Sequence, residues 1–131
     1  MPVASVGDTA DASITVTEET IESYAALSGD DNPIHRDEEY ASETMFGGRI
    51  AHGMLSAGPV SAALADLPGD IIYLSQDLQF ENPVFPGDTV TATVEVVEDL
   101  GGDRIRVETT AETDETVVSG EAVVLSVQHE S

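Results

Sequence analysis

From Ala12 to Thr17 apolar and polar residues alternate among β-branched types, Ala-Ser-Ile-Thr-Val-Thr, which is the two-residue period of a half-buried strand. The period then changes. Thr17 stands where it can cap a helix, and Glu18 and Glu19 fall in the first turn, where carboxylates suit the positive helix end. Ile21, Tyr24, Ala25 and Leu27 supply the apolar face of that helix, and Gly29 predicts its C-terminal cap. Asp30 to His35 reads as a loop stiffened by Asn32-Pro33. A short helical turn is expected around Glu38 to Thr44, broken by Phe46-Gly47-Gly48.

Between Ile50 and Leu67 the pattern is apolar nearly all round, interrupted only by small or hydroxyl residues and one histidine. Such a helix must be buried on most sides. Pro59 should kink it, and Pro68-Gly69 should end it. The remainder reads as strand after strand: Ile71 to Phe80, a turn at Pro83 to Asp88, Thr89 to Val97, a turn at Gly101-Gly102, Arg104 to Thr113, a turn at Asp114-Glu115, and Thr116 to Val127. Short turns between long strands make the sheet antiparallel. The predicted class is α+β, a curved antiparallel sheet wrapped around a long buried central helix, with residues 1–131 forming one domain.

Composition narrows the chemistry. The chain has no cysteine, which removes disulfides, thiolate nucleophiles and cysteine-held metals. It has no apolar run of about 18 residues and no basic region leading into an apolar stretch, so neither a membrane span nor a signal peptide is expected, and the cytoplasm is the default location. The charge balance is extreme, 26 acidic residues against four arginines, for a net charge of -22. Nucleic acid and anionic membranes are therefore poor partners. The acids are spread along the chain, a pattern suited to a surface adapted to high salt, where a Debye length of about 3 Å screens their repulsion.

Against that solvated background one constellation carries chemistry: Asp30-Asp31-Asn32-Pro33-Ile34-His35, followed by His52-Gly53-Met54. A carboxylate and an imidazole on a stiff loop can share one small polar guest such as water. A glycine opening a helix offers a bare N–H, with the helix dipole behind it, to an oxygen that turns negative during reaction. Read by themselves, these residues point to acid/base chemistry beside a carbonyl. The plainer readings are that Asp30 is a turn residue, that His35 is a hydrogen-bonded structural histidine, and that His52 orients the helix start. His129, close to the C-terminus, reads as incidental.

Three stretches carry a family resemblance: Tyr24-Ala-Ala-Leu-Ser-Gly-Asp-Asp-Asn-Pro-Ile-His-Arg-Asp37, Phe46-Gly-Gly-Arg-Ile-Ala-His-Gly-Met-Leu55 and Asn82-Pro-Val-Phe-Pro-Gly-Asp88. In order and spacing the chain resembles the MaoC-like, (R)-specific enoyl-CoA hydratases over about residues 12 to 127. The resemblance implies a hot-dog fold, a homodimer joined edge to edge, and a pantetheine tunnel along the dimer interface. It also implies Asp30 and His35 as the catalytic pair, Gly53 as the amide that polarises a thioester carbonyl, and Ser61 as a serine ordering the site. Asp31 falls where the family accepts varied residues, and Asn32 is expected to brace the loop beside the substrate. The implied reaction is reversible addition of water to a trans-2-enoyl-CoA, giving the (R)-3-hydroxyacyl-CoA, with no metal and no cofactor beyond the coenzyme A of the substrate.

Coenzyme A carries phosphates, and for these Arg49 is the leading candidate contact because a guanidinium bonds planar anions in a fork. Arg36, Arg104 and Arg106 read as partners of nearby carboxylates. Leu64, Tyr73 and Phe80 are candidates for closing the acyl tunnel. Two other functions fit the same fold, an acyl-CoA thioesterase and a non-catalytic acyl-CoA-binding subunit.

Overall fold

The strongest alternation in the sequence produces the longest strands. In the computed structural model, which describes residues 1–129, Thr89–Gly101 (β4), Arg104–Glu112 (β5) and Thr116–Val127 (β6) form the centre of an antiparallel sheet. They are preceded by Thr9–Thr15 (β1), Asp70–Gln76 (β2) and Gln79–Phe80 (β3), and the order across the sheet is β1-β4-β5-β6-β2, with β3 also paired to β6. Val90, Ala92, Val94 and Val96 of β4, and Ile105, Val107, Thr109 and Ala111 of β5, turn inward and are buried, while the residues between them are not. Each such valine or isoleucine contributes about 1.5–3 kcal/mol by leaving water. At the β4–β5 hairpin Gly101 and Gly102 adopt φ of 82° and 64°, the left-handed turn expected at that pair.

The described residues form five helices, α1 (Glu18–Ser28), α2 (Pro33–Arg36), α3 (Glu38–Ser42), α4 (Gly53–Ser56) and α5 (Gly58–Ala65), of which α5 makes the main contact with the strands. α1 begins as expected, with Thr17 accepting the Thr20 N–H at 3.0 Å, and ends at Gly29 with φ 79°. Its apolar face is narrower than expected. Ile21 and Ala25 are buried, but Leu27 is 86 % exposed, because six residues from Ile21 it falls off the three-to-four spacing that keeps a helical stripe in line.

The central helix is shorter than expected and interrupted. The segment forms one turn, α4, and then the eight-residue α5, joined at Ala57. Pro59 cannot donate the bond that would carry one helix into the next, and it sits in the first turn of α5, where its missing N–H has no partner to lose. Burial is one-sided: Leu55, Val60, Ala63 and Leu64 enter the core, while Met54, Gly58, Ser61, Ala62 and Ala65 face outward. α5 lies across β1, β4 and β5, so the wrapped-helix architecture holds with a shorter helix.

The expected strand from Ile71 to Phe80 is split into β2 and β3 at Asp77-Leu78. There Asp77 crosses directly over Gly120 of β6, where any Cβ would collide with the Asp77 carbonyl, and the Asp77 carboxylate accepts the Glu121 N–H at 2.8 Å. β1 starts at Thr9, earlier than its alternation suggests, and β4 runs on to Gly101. No helix among the described residues is long and apolar enough to cross a membrane.

Candidate active site

The left-handed turn at Gly29 throws the chain off α1 into Asp30. There the backbone folds on its own side chains: Asp30 N–H donates to Ser28 Oγ at 3.1 Å, and Asn32 N–H donates to Asp30 Oδ1 at 3.2 Å. Asn32 Oδ1 in turn accepts the Ile34 N–H at 3.2 Å and caps α2, with Pro33 at its first position. The expected loop is thus half helical, and the Asn-Pro pair that stiffens it is a helix start. Asn32 braces the loop, as the sequence suggests, by capping; its side-chain oxygen is engaged in that bond.

The segment Arg49–His52 grips this loop along its length. Ile50 N–H donates to the Ile34 carbonyl at 3.3 Å, and His35 Nδ1 donates to the Ile50 carbonyl at 2.8 Å. Arg49 Nε donates to the His35 carbonyl at 2.7 Å, and His52 Nε2 donates to the Asp30 carbonyl at 2.9 Å. A carbonyl only accepts, so each bonded ring nitrogen carries the proton, which fixes the tautomer of both histidines. His35 Nε2 makes no hydrogen bond among the described residues.

This arrangement corrects the expectation for Arg49. Its side chain is 9 % exposed, and besides the His35 carbonyl it meets Glu18 and Glu22, each at 3.2 Å. A guanidinium committed to three acceptors inside the protein has no open fork for a phosphate. Glu22 also pairs with Arg36 at 2.7 Å, and Arg36 reaches Asp31 at 2.8 Å. The hydrogen bond that Arg36 donates to Glu22, followed by the one to Asp31, raises the Arg36 pKa and keeps its charge in place. The pairing ties Asp31 into a surface ion network and separates its role from that of Asp30.

Asp30, His35 and His52 each bring one ligand-type atom within 4.8 Å of the others. The two histidine rings stack, with centroids 3.9 Å apart and planes 26° apart. Stacked rings aim their in-plane lone pairs side by side, whereas a metal ion needs them to converge. The geometry suits a proton-transfer pair better than an ion cage.

His35 also lines a cavity of about 270 Å³ with Gly53, Ser56, Ile50, Phe80 and Val117. Asp30 is not in that wall, so His35 is the residue common to the cavity and the Asp30–His35–His52 group. Gly53 opens α4, and its N–H meets no acceptor among the described residues. Because α4 is one turn long, the donor acts as a single N–H with little helix dipole behind it. A Cβ on Gly53 would sit 3.0 Å from two carbons of the Phe80 ring, so the glycine lets that ring lie close against the start of α4. Phe80 therefore belongs to the site, and Leu64, buried in the core, does not. Ser61 lies elsewhere, in a neighbouring cavity of about 430 Å³ with Met54, Tyr73 and Leu78. Ser56, buried in the His35 cavity wall, was not expected from the sequence; its place three residues after Gly53 on the same helical turn is the signal that could have found it. His129 contacts Asp70 at 3.0 Å, at the sheet edge.

The model of the MaoC like domain matches residues 3–118. The chain belongs to this family. An (R)-specific enoyl-CoA hydratase from Rhodospirillum rubrum is 53 % identical over 92 residues, which are 69 % of this chain and 64 % of that one, so the match spans under two thirds of the relative. The unliganded R-hydratase PhaJ1 of Pseudomonas aeruginosa superposes with a TM-score of 0.88 at 39 % identity, covering 98 % of this chain and 88 % of its own. The (R)-hydratase of Aeromonas caviae involved in PHA biosynthesis gives 0.87 at 39 % identity, over 92 % and 96 %. The MaoC-like chain thus has the hot-dog fold, its sheet curled around α5 as in these neighbours.

Proposed function

We propose that this MaoC-like protein is an (R)-specific enoyl-CoA hydratase, a hydro-lyase that adds water reversibly to trans-2-enoyl-CoA. The observation that carries the reading is the orientation of His35: Nδ1–H is bonded to the Ile50 carbonyl, which leaves Nε2 as the unbonded nitrogen of a ring that is clustered with Asp30 and also lines the cavity of the Gly53 N–H. Water is a weak nucleophile, and the Asp30/His35 pair is placed to take one proton from it as its oxygen bonds to the β-carbon. Electrons then move through the conjugated system onto the thioester oxygen, where the Gly53 N–H stabilises the charge. Loss of one such donor typically costs about 3–4 kcal/mol of barrier. Protonation of the α-carbon by the same pair completes the addition on one face.

A cavity of about 270 Å³ is smaller than the roughly 300–1,000 Å³ usual for a whole ligand. It matches the reacting end of the substrate, and the neighbouring cavity beside Ser61 is where this reading places the apolar remainder. The reading includes a homodimer, supported by edge strand β2, which leaves Ile72, Tyr73 and Leu74 about half exposed. It includes a cytoplasmic location, to be checked by cell fractionation. It also includes adaptation to high salt, supported by a net charge of -22 and by the absence of any buried Asp or Glu among the described residues. The melting temperature should rise from dilute buffer to multimolar potassium chloride, and an unchanged value overturns that part.

Crotonyl-CoA in multimolar salt tests the activity. Loss of the conjugated absorbance without free thiol, yielding the (R)-3-hydroxy product, is the expected result. Thiol release would make the protein a thioesterase, and silence toward short, medium and long enoyl-CoA substrates would leave a binding subunit.

A further inference from the structure

His52 has no role in the reaction as written, yet it is 2 % exposed and lies between the two residues that do. Its Nε2–H donates to the Asp30 carbonyl at 2.9 Å, one ring face stacks on His35 at 3.9 Å, and the Tyr24 ring of α1 lies 4.8 Å away, tilted by 53°. Its Nδ1 is buried and meets no partner among the described residues. Burying an unpaired polar atom has a free-energy cost, and a leucine or phenylalanine would fill the same space without it. The ring is therefore held for what its other nitrogen and its face do together.

We infer that His52 is the positioning residue of the site, one side chain that sets the register of Asp30 and the ring plane of His35 at once. The two catalytic groups are held by different means. Asp30 is exposed, and its carboxylate is steered by the backbone turn that follows it, so fixing the Asp30 carbonyl fixes where that turn begins. The His35 imidazole is tethered at one point, Nδ1, and could still swing about that bond. The stacked His52 face removes that swing, and Tyr24 backs His52 from the α1 side. A displacement of about 1 Å in a reacting group lowers turnover on the order of a hundredfold, so a shared support acts on rate more than on substrate affinity. The two rings also carry opposite tautomers, Nδ1–H on His35 and Nε2–H on His52.

The activity part of this inference rests on the hydratase reading; the tautomer part does not. Nitrogen-15 spectra of histidine-labelled protein, which carries three histidines, should show His35 protonated at Nδ1 and His52 at Nε2, assigned by His35→Gln and His52→Gln. The same tautomer on both overturns the inference whatever the enzyme catalyses. In the crotonyl-CoA assay, normalised to folded protein, His52→Ala should lower kcat about a hundredfold with KM within about twofold. His52→Gln, which keeps an N–H near the Nε2 position, and His52→Phe, which keeps the stacking face, should each recover part of the loss. Wild-type kcat in folded His52→Ala, or a loss confined to KM, overturns the inference; an inactive wild-type protein overturns the hydratase reading alone.

Discussion

The sheet and the catalytic loop are built on opposite principles. In β4 and β5 every second residue enters the core, each side chain is replaceable by another apolar one of like size, and the hydrogen bonds run backbone to backbone. In the Asp30–His35 loop the order comes from side chains: Asp30, Asn32, His35, Arg49 and His52 each hold a backbone group of the loop or of the segment facing it. The first region is redundant and the second is not. Damage to the sheet should therefore appear as lost stability with chemistry per folded molecule preserved, and damage to the loop as lost chemistry with the fold preserved.

The largest separation is expected at Asp30→Asn and His35→Ala. Each should lower kcat by about 10²- to 10⁴-fold, the usual contribution of a positioned acid or base; the melting curve should stay in place for Asp30→Asn, and His35→Ala, which strands the Ile50 carbonyl, should lose about 1–3 kcal/mol while still folding. Full turnover in either variant breaks the comparison at its centre. Ile105→Ala in β5 should do the reverse, with chemical denaturation reporting a loss of about 2–5 kcal/mol and kcat per folded molecule unchanged.

Arg49→Leu sits between these extremes. It strands the His35 carbonyl in a buried place, so stability should fall by about 1–3 kcal/mol, and kcat should fall by less than in the Asp30 variant. Steady-state kinetics and urea melts on the same preparation separate the two effects. If KM for coenzyme A thioesters alone rises, the arginine faces the substrate after all. The smallest effect belongs to Asp31→Asn. Asp31 is 69 % exposed and Arg36 keeps Glu22, so stability should change by about 0–1 kcal/mol and turnover should hold. A catalytic defect there would exchange the roles of the two neighbouring aspartates.

The same contrast explains what was legible beforehand. The strands, the α1 caps at Thr17 and Gly29 and the turn at Gly101-Gly102 follow from local pattern, and motif spacing singles out Asp30, His35 and Gly53 as the candidates that the variants test. The splitting of the central helix at Pro59 was half legible, since proline announces a break but not whether a second helix restarts within two residues. Arg49 misled because an arginine beside a glycine turn looks open to solvent, and its acceptors, Glu18, Glu22 and the His35 carbonyl, come from other parts of the chain. The β2–β3 break depended on Gly120, over forty residues from Asp77, and no window of sequence contains both.

By itself, then, the sequence determined which segments form strands, where α1 starts and stops, and which residue types could perform acid/base chemistry next to a carbonyl. These are properties of period, capping and spacing, and they act within a few residues. Tertiary structure decided which nitrogen of each histidine is free, that Asp31 belongs to a surface ion pair, that Arg49 faces inward, and that His52 lies between Asp30 and His35. Each of those depends on an acceptor or a ring supplied by a distant segment. Such partners are fixed only when the sheet closes over α5 and brings residues 49–52 against the loop.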